Sequence, residues 1–202
     1  MQLLLNKGAN IHGTGPTYNT ALMDAAEHGH MGTVRLLLGK GSQVNVQDEF
    51  GCTPLMYAAQ GGHVTIAQML LAKGANVNQR TKQGITALTM ASGAGMQQIT
   101  QSHAATVQLL LSKGAEVNTK TTAGITALMI AARDGHTDIA KLLLSGGAHV
   151  NIQDEDGNTA LLLAIDRRRT EIAQALLKKN GIDVNIKNKW GKTALMTLMT
   201  QK

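Results

Sequence analysis

Seven histidines, one cysteine, a Gly-Lys-Thr triplet and a run of three arginines are the residues of this chain whose types could do chemistry. Imidazoles bind metals, a thiolate attacks electrophiles, and a glycine-rich turn ending in lysine cradles phosphate. Spacing decides among them. His30, His63 and His136 each follow a glycine and recur in one slot of a repeated unit, as Gly29-His30, Gly62-His63 and Gly135-His136. Stacked helical units set equivalent positions about 10 Å apart, too far for one metal whose nitrogen ligands sit at about 2.1 Å. A structural role at a turn is expected of these three, while His12, His28, His103 and His149 lack ligand spacing. No metal and no cofactor is expected.

Cys52 has no Cys-x-x-Cys partner and no sequence-local histidine and carboxylate to activate it, so no nucleophilic catalysis is expected. Being single, it excludes an intrachain disulfide and favours a reducing compartment such as the cytoplasm, with secretion as an effector left open. A Walker A loop would need a glycine five positions before Gly191-Lys192, and that position holds Ile186. The chain therefore reads as a non-enzyme. No apolar run reaches the roughly 18 residues of a membrane span, and Leu3-Leu4-Leu5 is too short for a secretory signal.

The formal net charge of +6 raises the question of nucleic acid, and its placement answers differently. From Arg167 to Lys202 nine Lys/Arg stand against two acids, whereas the first 166 residues hold ten basic and eleven acidic residues. All the net basicity is C-terminal. Arg167, Arg168 and Arg169 form a candidate patch for an acidic protein, a membrane surface or a phosphate-rich ligand. Without interleaved stacking aromatics, nucleic acid is disfavoured.

These residues sit on a repeat. A Thr-Ala/Pro-Leu signal starts at Thr20, Thr53, Thr86, Thr126, Thr159 and Thr193, in steps of 33, 33, 40, 33 and 34. That is one period with seven extra residues in the third unit and one in the fifth. Ala-Ala pairs, Gly-His pairs, leucine-rich triplets and a closing Gly-Ala/Ser-x-Val-Asn hold their offsets, as in Gly74-Ala75-Asn76-Val77-Asn78. Thr53 caps the helix that Pro54 opens, Gly62 ends it, and a second helix carries Ile66, Met69, Leu70 and Leu71 inward until Gly74. A core with only four aromatics must be filled by Ala, Leu, Ile, Val and Met, which suits small interlocking helices.

On these motifs the chain resembles the ankyrin repeat family, whose period is about 33 residues. The resemblance implies an all-α solenoid of stacked helix-turn-helix units with β-hairpin loops at one edge. It divides residues 1–202 into a partial unit 1–13, repeats 14–46, 47–79, 80–119, 120–152 and 153–186, and a partial unit 187–202. One family position departs throughout: the histidine after Thr-Pro-Leu is Met23, Met56, Met129 and Met196, with Thr89 and Leu162 elsewhere. Methionine is expected to fill that space by packing alone. Leu3-Leu4-Leu5 and Leu195-Met196-Leu198-Met199 put apolar residues in the terminal partial units, as expected of a piece of a longer array or of makeshift caps.

The resemblance further implies a monomeric, non-catalytic scaffold that binds another protein through hairpin tips and a concave helix face. The family's variable slots fall here on Glu49, Phe50, Cys52 and Gln60, on Lys82, Gln83 and Ile85, on Thr122, Ala123, Ile125 and Arg133, on Glu155, Asp156, Asn158 and Asp166, and on Lys189, Trp190 and Lys192. Phe50 and Trp190 share one tip slot and are the expected anchors, since large exposed aromatics commonly carry binding energy. The insertion within Gly93 to His103 is expected to be a contact loop or, over Met96 to Gln101, a helix extension. Two other functions stay open: the targeting arm of a larger enzyme or effector, and phosphate-rich ligand binding at the basic segment.

Overall fold

The computed structural model describes residues 10, 11, 13–15, 19–93 and 100–200. The leucine run at the N-terminus, His12, Met96 to Ile99 within the insertion, and Lys202 lie outside the described residues. Among the described residues five helix pairs and a single helix follow one another: α1 (Ala21–Glu27) with α2 (Met31–Gly39), α3 (Pro54–Gln60) with α4 (Val64–Ala72), α5 (Ala87–Ala91) with α6 (Gln101–Ser112), α7 (Ala127–Asp134) with α8 (Thr137–Ser145), α9 (Ala160–Asp166) with α10 (Thr170–Leu177), and α11 (Ala194–Met199). Among the described residues there is no strand, only an isolated antiparallel bridge between Thr14 and Thr20.

Each first helix begins because its threonine caps it. The hydroxyls of Thr20, Thr53, Thr86, Thr126, Thr159 and Thr193 accept the N–H three residues on, at 3.3–3.4 Å. The methionine position is more than packing. Met23 and Met129 are buried, yet their Sδ atoms also accept the N–H of Thr20 and Thr126 at 3.4 and 3.5 Å, closing the cap from the other side. Thr89 does the same with its hydroxyl at 2.8 Å. The expectation of packing alone is corrected: a thioether is a weak acceptor, and here it faces an otherwise unpaired helix-start donor.

First helices pack on first helices and second on second, each pair also packing internally. Leu22, Leu55, Leu88, Leu128 and Leu161 form one fully buried row, and Leu37, Leu70, Leu110, Leu143 and Leu176 the facing one. Between them the alanines are closed off completely, Ala58, Ala59, Ala131 and Ala132 at 0% exposure, which is what lets neighbouring helices approach.

Two columns of polar bonds cross the units. In the turn column, Nε2 of His63 meets the Glu27 carbonyl at 2.9 Å and Nε2 of His103 meets that of Gln60 at 2.9 Å. His103 thus occupies the slot of His63, seven residues displaced by the insertion; counting back six residues from the leucine triplet would have found it. Its Nδ1 accepts the Thr100 N–H at 3.2 Å, so it also caps α6, which starts at Gln101 and so includes His103, whereas α4 and α8 start after their histidines. The insertion therefore lengthens a second helix at its start. In the same column, Nε2 of His136 is buried without a hydrogen-bond partner. Its counterpart position is Gly93, and α5 stops at Ala91, so that carbonyl is no longer at a helix end. In the last rung Arg169 replaces histidine, its Nε donating to the Arg133 carbonyl at 3.4 Å.

The second column is made by asparagines. Asn45, Asn78, Asn118 and Asn151 donate from Nδ2 to the carbonyls of Gly74, Gly114, Gly147 and Gly181 at 2.7–3.3 Å. Their Oδ1 atoms accept the N–H two residues further on, from Asn76, Glu116, His149 and Asp183, at 2.7–2.9 Å. Each amide clamps two successive loops.

Candidate functional site

The hairpin tips are built from Asx and threonine turns. Asp48 Oδ1 accepts the N–H groups of Phe50 and Cys52 at 2.9 and 2.8 Å, Asp154 Oδ1 those of Asp156 and Asn158 at 3.0 and 2.8 Å, and Asn188 Oδ1 those of Trp190 and Lys192 at 3.1 and 3.0 Å. Thr81 and Thr121 hold Ile85 and Ile125 by the same route, both at 3.1 Å. Main-chain bonds then tie tip to tip: Thr122 N–H to Gln83 O at 2.8 Å, Glu155 to Ala123 at 3.0 Å, Lys189 to Asp156 at 2.8 Å. Loops so fixed present side chains with little ordering left to lose on binding.

Phe50 is 56% exposed and Trp190 65%, both at the tip slot assigned to them. Four units separate them, roughly 40 Å at the usual helix-packing distance, so they cannot share one small site. Glu49, Lys82, Gln83, Thr122, Glu155, Asp156, Asp166, Lys189 and Lys192 are exposed, while Gln60, Ile85, Ala123, Ile125, Arg133 and Asn158 are half-buried. Cys52 is not on the surface. It lies in the core at 8% exposure, with burial first and the Asp48 carboxylate second pushing its thiol up to about 11, and its place among contact residues is corrected accordingly. Burial and the Asp48 bond likewise raise the Tyr57 hydroxyl above its ordinary range.

Two hollows gather the remaining residues. One, of about 280 Å³ between α5 and α7, is lined by Gln83, Ile85, Thr122, Ala123, Ile125 and Arg133, all assigned from the family slots, with Thr89 and Ile130 beside them. The Arg133 guanidinium is bound on two sides to Asp134, at 2.8 and 2.9 Å, which holds that carboxyl below its usual range and fixes the wall of the hollow. The other, of about 510 Å³ between α9 and α11, brings together Asn158, Asp166, Arg167, Trp190 and Lys192 with Leu162 and Leu163. The leucines of α9 were missed as site residues; their apolar character pointed to core.

The three arginines do not form one patch. Arg169 is turned back onto the preceding pair, where a Cβ on Gly135 would stand 2.8 Å from its Nε. Arg168 has φ 55°, the left-handed backbone that Gly29, Gly62 and Gly135 supply in their units, and is the only such non-glycine residue among those described. Arg167 pairs with Asp166 at 3.4 Å and lines the α9–α11 hollow. Gly191-Lys192-Thr193 serves a hairpin and a helix cap. Among the described residues no three His, Cys, Asp or Glu gather as a metal site, and no helix is long and apolar enough to cross a membrane.

Helix pairs repeated on one plan and tied tip to tip by main-chain bonds define a repeat solenoid. The sequence matches the family of ankyrin repeats (3 copies) over residues 1–81, 22–121, 79–150 and 95–188, and the chain belongs to the ankyrin repeat family. Ankyrin repeats are generally non-catalytic modules of protein–protein interaction. Among individually curated proteins none matches the chain.

Proposed function

We propose that the chain is a protein-recognition scaffold whose partner lies across the hairpin tips and the adjoining ends of the first helices. The hollow between α5 and α7 carries this reading. Ile85, Ile125 and Ile130 form an apolar wall behind a polar rim of Gln83, Thr121 and Thr122, a concave apolar site with few polar groups of the kind that seats an aliphatic anchor. Phe50 and Trp190 extend the face in either direction as exposed aromatics on fixed turns. The single free thiol, Cys52, is buried, which suits a cytoplasmic setting.

Affinity capture from a cell extract tests it, with the wild type beside Ile125→Asp and beside Phe50→Ala/Trp190→Ala. Proteins retained by the wild type and lost from both variants, with helical circular dichroism unchanged, are the expected result. Equal retention by all three refutes the face as assigned.

A further inference from the structure

We propose that the hollow between α9 and α11 receives an acidic segment of the protein partner, with an apolar side chain against Trp190 and carboxylates toward Arg167 and Lys192. This rests on the protein-recognition reading above and adds the chemistry of one stretch of the partner.

The site is pre-ordered by a single side chain. Asn188 holds the backbone of Trp190 and of Lys192 through Oδ1 and donates from Nδ2 to Asn158 at 3.0 Å, so the indole and the lysine start from a common fixed turn. The hollow between them and α9 has Leu162 and Leu163 for an apolar floor and Arg167 on its far rim. An acid beside an apolar residue matches that arrangement.

Charge chooses the occupant. Residues 187–200 contain Lys187, Lys189 and Lys192 and no acid. The neighbouring carboxylates offset little: the Arg167–Asp166 pair at 3.4 Å is more than half exposed on both sides, as is Lys189–Asp156 at 3.7 Å. A guanidinium has five donors in a fork that suits carboxylates, and one contact to Asp166 does not fill it. A nucleic-acid strand would need successive aromatic platforms, and Trp190 is the one aromatic lining this hollow. The peptide reading is therefore the better fit.

Trp190 is the only tryptophan in the chain, so its emission reports directly on the site. The whole protein is titrated at low salt with a short peptide of alternating Glu and Asp around one central leucine, with its lysine counterpart, with a single-stranded oligonucleotide of equal charge, and with inorganic phosphate. The acidic peptide should give a saturable blue shift. Arg167→Glu or Lys192→Glu should weaken it about tenfold, as should raising salt from about 50 to about 500 mM, while Gln68→Ala, on the exposed side of α4, should leave it unaltered. No saturable shift, or an affinity indifferent to both charge reversals, overturns the proposal. A tighter response to oligonucleotide or phosphate also overturns it and makes the hollow a phosphate site. If these titrations fail while Ile125→Asp still loses captured proteins, the scaffold reading stands and only the acidic segment falls.

Discussion

The start of α6 and the turn between α9 and α10 solve one problem with different side chains. At the first, His103 is 5% exposed and bonded on both ring nitrogens, to Thr100 and to the Gln60 carbonyl. At the second, Arg169 is exposed and reaches the Arg133 carbonyl at 3.4 Å, and the residue before it, Arg168, takes the left-handed backbone that glycine takes elsewhere. The backbone is the same as at an ordinary unit: Arg169 has φ −85° and ψ 70°, His63 φ −83° and ψ 71°. The slot takes a long donor, usually behind a left-handed residue; the arginines meet both at a cost in strain, while His103 meets only the first because Ser102 before it is already helical. The C-terminal end exchanges internal satisfaction for surface charge, and its last helix exposes Leu195, Met196, Leu198 and Met199 where α7 buries the whole of Ala127–Ala132.

The contrast between the middle and the end can be broken most forcefully in the leucine rows. Leu128→Ala, at 1% exposure, should cost about 2–5 kcal/mol, whereas Leu195→Ala, at 68% exposure, should stay within about 0.5 kcal/mol; urea unfolding compares them, and equal losses would mean that the last helix is packed. His103→Ala comes next. It strands the Thr100 N–H and the Gln60 carbonyl, and should cost about 1–3 kcal/mol, against a smaller loss for Arg169→Ala at its exposed rung. Arg168→Gly should move the other way, raising stability by about 1 kcal/mol through relief of the left-handed backbone. A drop in its unfolding midpoint would show that the arginine side chain holds the turn.

The smallest effect is in pH. Burial, with Arg169, His103 and Arg133 adding, outweighs the pull of Asp134 and lowers His136 below the ordinary imidazole value. The folded state then favours neutral imidazole, so this stability is complete above about pH 6.5 and is lost as pH falls through that value toward the lower folded one. Replacing His136 with Asn should flatten that part of the profile. Asp134, lowered chiefly by its bonds to Arg133, adds stability that is present above about pH 4 and lost below it as the carboxyl protonates. The Arg133→Ala variant should lack that second decline, as the pH dependence of the urea midpoint will show.

The helix pairs were legible because the threonine caps, ending glycines and leucine triplets are local signals that tertiary packing then reinforces. The tip slots were legible for the same reason, since Phe50 and Trp190 each stand three residues before a capping threonine. What escaped were features made between units. Cys52 holds a slot that is exposed at Lys192, and only the stacking of the next loop decides that it is buried. His103 was hidden by a displaced landmark, and the joining of Arg167 to Trp190 and Lys192 depends on how one pair sits on the next. Periodicity describes a unit; it does not say what the neighbouring unit covers.

The asparagine column has a consequence for how such a chain can change length. From Asn45 to Gly74 it spans 29 residues, from Asn78 to Gly114 it spans 36, and from Asn151 to Gly181 it spans 30, yet the clamp is the same each time. In the longest of these units the described part of the addition belongs to α6, which has 12 residues where α4 has 9, and the clamp is unchanged. The array therefore behaves like a ruled spine with an open margin: segments can be written into the margin between paired helices while the spacing of the binding edge stays constant.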